Sequence, residues 1–93
     1  MKQDYIIRWS EMARLQLLNK AKYIEEQSQS SEIADKFISE IEQLAEKLSY
    51  VAAAYTNGKF NIFPLKNGHS VKFLVTGNYV MIYAFLPKGS NIH

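Results

Sequence analysis

Lys59, Lys66, His69, Lys72 and Lys88 fall in the second half of a 93-residue chain, with Tyr55, Tyr79 and Tyr83 interleaved among them. Cationic side chains can neutralise phosphates while aromatic rings stack on bases, so the chemistry this pattern offers is binding of an anionic or nucleic-acid partner. Lysines also decorate turns and strand edges simply to keep them soluble and unpaired, and the pattern admits both readings. Overall charge does not decide between them. A formal charge of +2 and an isoelectric point of about 8.9 are only mildly basic, short of the dense patch of a dedicated nucleic-acid binder.

Other chemistries find less support. His69 and His93 are the two histidines, and neither has a carboxylate or second histidine at a ligand spacing, so no metal is expected. The absence of cysteine removes disulfide frameworks, thiolate zinc sites and thiol nucleophiles. No phosphate-cradling glycine loop, nucleophile elbow or zinc-hydrolase motif occurs, and no cofactor is expected. Glu25, Glu26, Glu32, Asp35, Glu40, Glu42 and Glu46 read as solvated helix faces rather than as acid–base pairs.

The elements that must position these residues can be read from periodicity. Tyr5 to Trp9 is β-branched and aromatic and runs into Ser10, a good helix N-cap, so it predicts a short strand leading into a helix. Ala13, Leu17, Ala21 and Ile24, with Leu18 beside them, predict an amphipathic helix over about residues 11 to 27. The polar stretch Gln27 to Ser31 suits the connection of an antiparallel helical hairpin. The second helix carries Ile33, Ala34, Phe37, Ile38, Ile41, Leu44, Ala45 and Leu48, with Glu32 and Asp35 in its first turn. Of these, Phe37, Ile41, Leu44 and Leu48 are expected to face a sheet, together with Leu17 and Ile24.

After a small apolar connector, Tyr50 to Tyr55, come the turn dipeptide Asn57-Gly58 and an edge strand, Phe60 to Leu65, that contains Pro64. Asn67-Gly68 signals a hairpin, Val71 to Val75 a strand, Thr76-Gly77-Asn78 a tight turn and Tyr79 to Leu86 a long strand. Tyr79, Met81, Tyr83 and Phe85 alternate with Val80, Ile82, Ala84 and Leu86. Both faces of that strand are apolar, as expected of a central strand covered on each side. Pro87 to Ser90 reads as another turn, and Asn91 to His93 as the start of a further strand. The expected fold is α+β: an N-terminal strand, then a helical hairpin packed on an antiparallel C-terminal meander.

The length of 93 residues fits one domain, 1–93, with a single core, and 47% hydrophobic residues are too many for a disordered tail. No apolar run approaches the roughly 18 residues of a membrane span, and no secretory leader pattern opens the chain. A cytoplasmic protein without membrane association is the expectation.

In this order of elements the sequence resembles the RelE/ParE family of toxins from bacterial toxin–antitoxin modules. The resemblance rests on Trp9-Ser10, Ala13, Leu17 and Tyr23-Ile24; on Ala34, Phe37, Ile41, Leu44 and Leu48; and on the run from Lys72 to Tyr83. That run looks like the family's basic-apolar strand, glycine turn and Tyr-x-x-x-Tyr strand, with Lys72 where ParE-like members commonly carry a basic residue. Family chains usually end in a full last strand and a basic tail, so the resemblance implies a domain cut short at that strand.

The resemblance implies a toxin neutralised by a cognate antitoxin protein, within a plasmid-stabilisation type of module. ParE-like members poison DNA gyrase, whereas RelE-like members cut messenger RNA on the ribosome. Val80, Val71 and Phe73 stand where RelE-like toxins carry basic residues, and this leans the expectation to ParE. On that reading Lys66, Lys72 and Lys88 are the target-binding candidates, and Tyr79, Met81, Tyr83 and Phe85 the antitoxin-facing ones. The alternatives are a RelE-like ribosome-dependent endoribonuclease and an inactive, toxin-derived interaction module whose sheet edge invites another chain.

Overall fold

A computed structural model describes residues 5–55 and 58–88. Asn57 of the expected Asn57-Gly58 turn, Gly89 and Ser90 of the last turn, and the strand start at Asn91 to His93 lie outside the described residues. The chain runs β1 (Ile6–Trp9), α1 (Glu11–Ser28), α2 (Ser31–Ala45), a short α3 (Leu48–Val51), a 3-10 turn (Ala52–Ala54), β2 (Phe60–Pro64), β3 (Ser70–Thr76) and β4 (Tyr79–Leu86). Both long helices begin at serine caps: Ser10 Oγ accepts from Ala13 N–H at 3.0 Å and Ser30 Oγ from Ile33 N–H at 3.2 Å. Each cap satisfies an amide that has no partner within its own helix.

The four strands form one sheet in the order β1-β4-β3-β2. β2, β3 and β4 make the antiparallel meander expected from the turn dipeptides. At the first hairpin Asn67 and Gly68 both hold positive φ, 56° and 83°, as a tight two-residue hairpin turn demands. β1 pairs in parallel with β4, Ile6 opposite Tyr79 and Trp9 opposite Ile82, so the sheet is mixed and β4 is interior.

The helices cover one side of the sheet. Leu17, Ile41 and Leu48 join Val71, Phe73, Val75, Val80, Ile82 and Phe85 in the buried core. Phe37 packs on the rim of that core, with its ring edge-on to His69 at 5.5 Å and to Phe85 at 6.2 Å. Two expected core residues lie outside the cluster: Ile24 and Leu44 are only half-buried. Leu48, expected within the second helix, belongs to α3. Contacts of the i→i+3 kind, from Lys47 N–H to Leu44 O and from Ser49 N–H to Glu46 O, tighten the chain there and still deliver Leu48 to the core.

Where β1 gives way to α1, the flank of β4 loses its strand partner. Ser10 N–H donates to Ile82 O at 2.8 Å, Ser10 Oγ donates to Tyr83 O at 3.0 Å, and Gln16 Oε1 accepts from Phe85 N–H at 2.9 Å. On the other flank the register slips: Lys72 opposes Ala84, but Phe73 opposes Ile82, leaving Tyr83 as an extra residue. This is a β-bulge, and it inverts the in–out alternation beyond it.

Two stability measurements check this account by urea denaturation. Ile41→Ala, which empties a fully buried site, costs about 2–5 kcal/mol. Gln16→Leu leaves the Phe85 amide without its acceptor and costs about 1–3 kcal/mol.

Candidate binding face

No described residue covers the side of the sheet away from the helices. Alternation along each strand sends one set of side chains to it: Ile6 and Arg8 from β1, Tyr79, Met81 and Tyr83 from β4, Lys72 and Leu74 from β3, and Phe60 and Ile62 from β2. Several large apolar groups are half-exposed here, among them Phe60 at 53%, Tyr83 at 40% and Tyr79 at 39%. Monomeric proteins rarely leave large apolar groups grouped in water, so this face is the candidate binding surface.

Two cations sit on the aromatic rings. The Arg8 guanidinium lies 5.3 Å from the centre of the Tyr79 ring, and Lys72 Nζ lies 4.7 Å from that of Phe60. Phe60 meets Tyr83 edge to face, with centroids 5.1 Å apart. Each ring holds its cation against the sheet while leaving the charge accessible to an incoming anion. None of the four strands contains a carboxylate. Eight of the nine acidic residues lie between Glu11 and Glu46, and none follows, whereas five lysines do. The molecule is therefore divided into an acidic helical hairpin and a basic sheet.

The sequence-derived candidates separate on the structure. Lys72 stands on the open face with Tyr79, Met81 and Tyr83. Phe85 does not: it is 1% exposed and packs in the core, because the bulge at Tyr83 flips the strand after it. Lys66 lies beside α2, where its Nζ pairs with Glu40 Oε2 at 3.0 Å. Lys88 follows β4 at the end of the sheet, where its backbone N–H donates to His69 Nδ1 at 2.9 Å and its side chain lies over Gly68. The three lysines thus form no common patch. Tyr55 turns to the helix side of the sheet, its ring edge-on to buried Phe73 at 4.9 Å.

Arg8 and Phe60 are the residues that sequence reasoning missed. The signal for Arg8 was its alternation with Trp9 and Ile7, but its importance depends on β1 lying beside β4. The positions read as missing RelE-type cations, Val71, Phe73 and Val80, are all fully buried. Their apolar character is a packing requirement, because an unpaired charge there would be removed from water. It carries no information about RNA cleavage.

His69 is a buried polar group of the core rim, between Phe37 and Phe85. Burial pushes its pKa below the ordinary imidazole value, and the positive charges of Lys20 and Lys88 push the same way. Among the described residues no group of histidines and carboxylates could hold a metal, and no helix is long and apolar enough to cross a membrane.

No protein-family model matches the sequence, and no curated protein compared with it does so. Among solved structures, a chain of the chromosomal ParDE TA system from P. aeruginosa superposes with a TM-score of 0.80 at 17% identity. The superposition covers 94% of this chain and 99% of that one. At such identity the likeness is one of fold, and it agrees with the RelE/ParE-like architecture expected above.

The histidine yields a pH test. A lowered folded-state pKa means that the unfolded chain binds the proton more readily, so this contribution to stability is complete above about pH 6.5 and is lost as pH falls through the folded value. Melting temperatures between about pH 7.5 and 5 should therefore fall more steeply for the parent than for His69→Gln, whose amide oxygen can still accept from Lys88.

Proposed function

We propose that this chain is the toxin of a type II toxin–antitoxin module and that the open face of its sheet is the surface on which both target and antitoxin act. The observation that carries this reading is the shared fold with a chain of the ParDE system, extending over nearly the whole of both chains. The proposed target is DNA gyrase, in keeping with that likeness. Arg8 and Lys72 would steer the chain to an acidic gyrase–DNA assembly, with Tyr79 and Tyr83 as anchors, while Lys66 and Lys88 contribute as peripheral charges.

The antitoxin, on this reading, is a protein with an acidic segment that covers Tyr79, Met81 and Tyr83 and pairs with the two cations. Such a segment neutralises the toxin by occupying the face its target needs. Phe85 makes no contact with it. The chain acts without a cofactor or metal, as a protein of the cytoplasm.

A second reading has its own support. Cations and tyrosines on one sheet are also what a single-stranded RNA requires, since bases stack on the rings and phosphates meet the charges. A RelE-like ribosome-dependent endoribonuclease would use the same face.

Expression in bacteria with and without the product of an adjoining short open reading frame should show growth arrest relieved by the partner. With purified components, the chain should inhibit supercoiling by gyrase, and Lys72→Ala or Arg8→Ala should weaken inhibition by about tenfold, a loss of ~1.4 kcal/mol. Cleavage of ribosome-bound messenger RNA with gyrase unaffected would replace the gyrase reading by the endoribonuclease one. Silence in both assays would leave a binding module without toxin activity.

A further inference from the structure

The outer side of α1 carries an apolar strip that no described part of the chain covers. Leu15 is 53% exposed and Leu18 45%, although Ala13, Leu17 and Ala21 on the opposite side of the same helix are buried. Glu11 and Lys22 bracket the two leucines and are exposed as well. The four positions 11, 15, 18 and 22 follow one another at intervals of four, three and four. That is the spacing of a coiled-coil seam, and it puts all four on one line down the helix. Neither Glu11 nor Lys22 has an ion-pair partner among the described residues, where the one salt bridge joins Lys66 to Glu40.

The order of charge and leucine along this line makes it complementary to itself. The geometry points to a second copy of this chain, docked α1 against α1 in antiparallel fashion about a two-fold axis between Leu15 and Leu18. Each Leu15 then meets Leu18 of the second copy, and each Glu11 meets Lys22 of the second copy. Two-fold symmetry repeats every contact, giving two leucine pairs at the centre and one ion pair at either end. A parallel pairing would set glutamate on glutamate and lysine on lysine, so the charges select the antiparallel one.

The rest of the helix agrees with this partner. On α1 the acids Glu11, Glu25 and Glu26 balance the bases Arg14, Lys20 and Lys22, and two copies meet there without net repulsion. The sequence of α2 has four acids and only Lys36 against them, which makes it a poor surface for self-association. Met12, 63% exposed, widens the strip at its first turn. Because α1 packs on the covered side of the sheet, the open face stays free in the dimer. One helix per subunit makes a small interface, so the dimer is of micromolar strength and depends on concentration.

Sedimentation equilibrium of the intact chain from about 1 to about 500 μM tests this directly. The weight-average mass should rise from 10.7 kDa toward twice that value. Leu15→Glu should hold the chain at the monomer mass. Glu11→Lys and Lys22→Glu, each alone, should weaken association by about tenfold or more, because each sets like charges together at both ends. Combining the two in one chain should restore parental association, since the pairs are then opposite again. Circular dichroism of every variant checks that the fold is kept, as all three side chains are exposed. A chain that stays monomeric throughout, a dimer that survives Leu15→Glu, or a double variant that associates no better than the singles would overturn the proposal. None of these readouts depends on toxin activity.

Discussion

Ser10 is the hinge of the structure, because one hydroxyl serves two elements at once. Its oxygen accepts from Ala13 N–H, which starts α1, and its proton goes to Tyr83 O, which ties that helix start to β4. Gln16, further along α1, takes the Phe85 amide in the same way. Phe85 is buried, and its amide left without an acceptor would cost stability, so Gln16 replaces there the partner lost when the chain departs from β1 into α1. The bonds to Tyr83 and from Phe85 fall at the bulge and just past it.

A consequence is a sheet whose two faces have different tasks. On the covered side, Phe73 and Phe85 pack with Ile41, Leu48 and Ile82 at or near zero exposure. Small residues of both helices are buried as well: Ala13 and Ala21 on α1, Ala34 and Ala45 on α2. On the other side, rings of comparable size remain half in water and carry cations over their faces. A strand with apolar residues on both sides meets the core on one side only, and no described residue covers the other.

Charge reinforces this division. With the acids concentrated on the helical hairpin and lysines on and around the sheet, the molecule has an electrostatic direction that its net charge of +2 conceals. An acidic partner approaching at random is drawn to the sheet and turned away from α2, an effect that acts on the rate of encounter more than on final affinity. Local geometry distinguishes the cations from one another. Paired with Glu40, Lys66 is already half-satisfied, whereas Lys72 has only a ring beneath it.

The sequence by itself determined the elements and their caps. Ser10 and Ser30 start helices, Asn67-Gly68 turns a hairpin, and the helical spacing of Ala13, Leu17 and Ala21 and of Ala34, Ile41 and Ala45 marks the buried sides of the two helices. These signals are local, set by backbone sterics and by the period of each element, so they can be read within a window of a few residues. Only the tertiary structure decided that β1 lies parallel beside β4, which brings Arg8 to Tyr79 across some seventy residues of chain. It also decided that Phe85 turns inward after the bulge, that Val71, Phe73 and Val80 are core, and that Lys66 and Lys88 leave the open face. Strand alternation predicts a side chain's face only while register is unbroken. It breaks where Ser10 and Gln16 hydrogen-bond the β4 backbone, partners that the strand's own sequence does not contain.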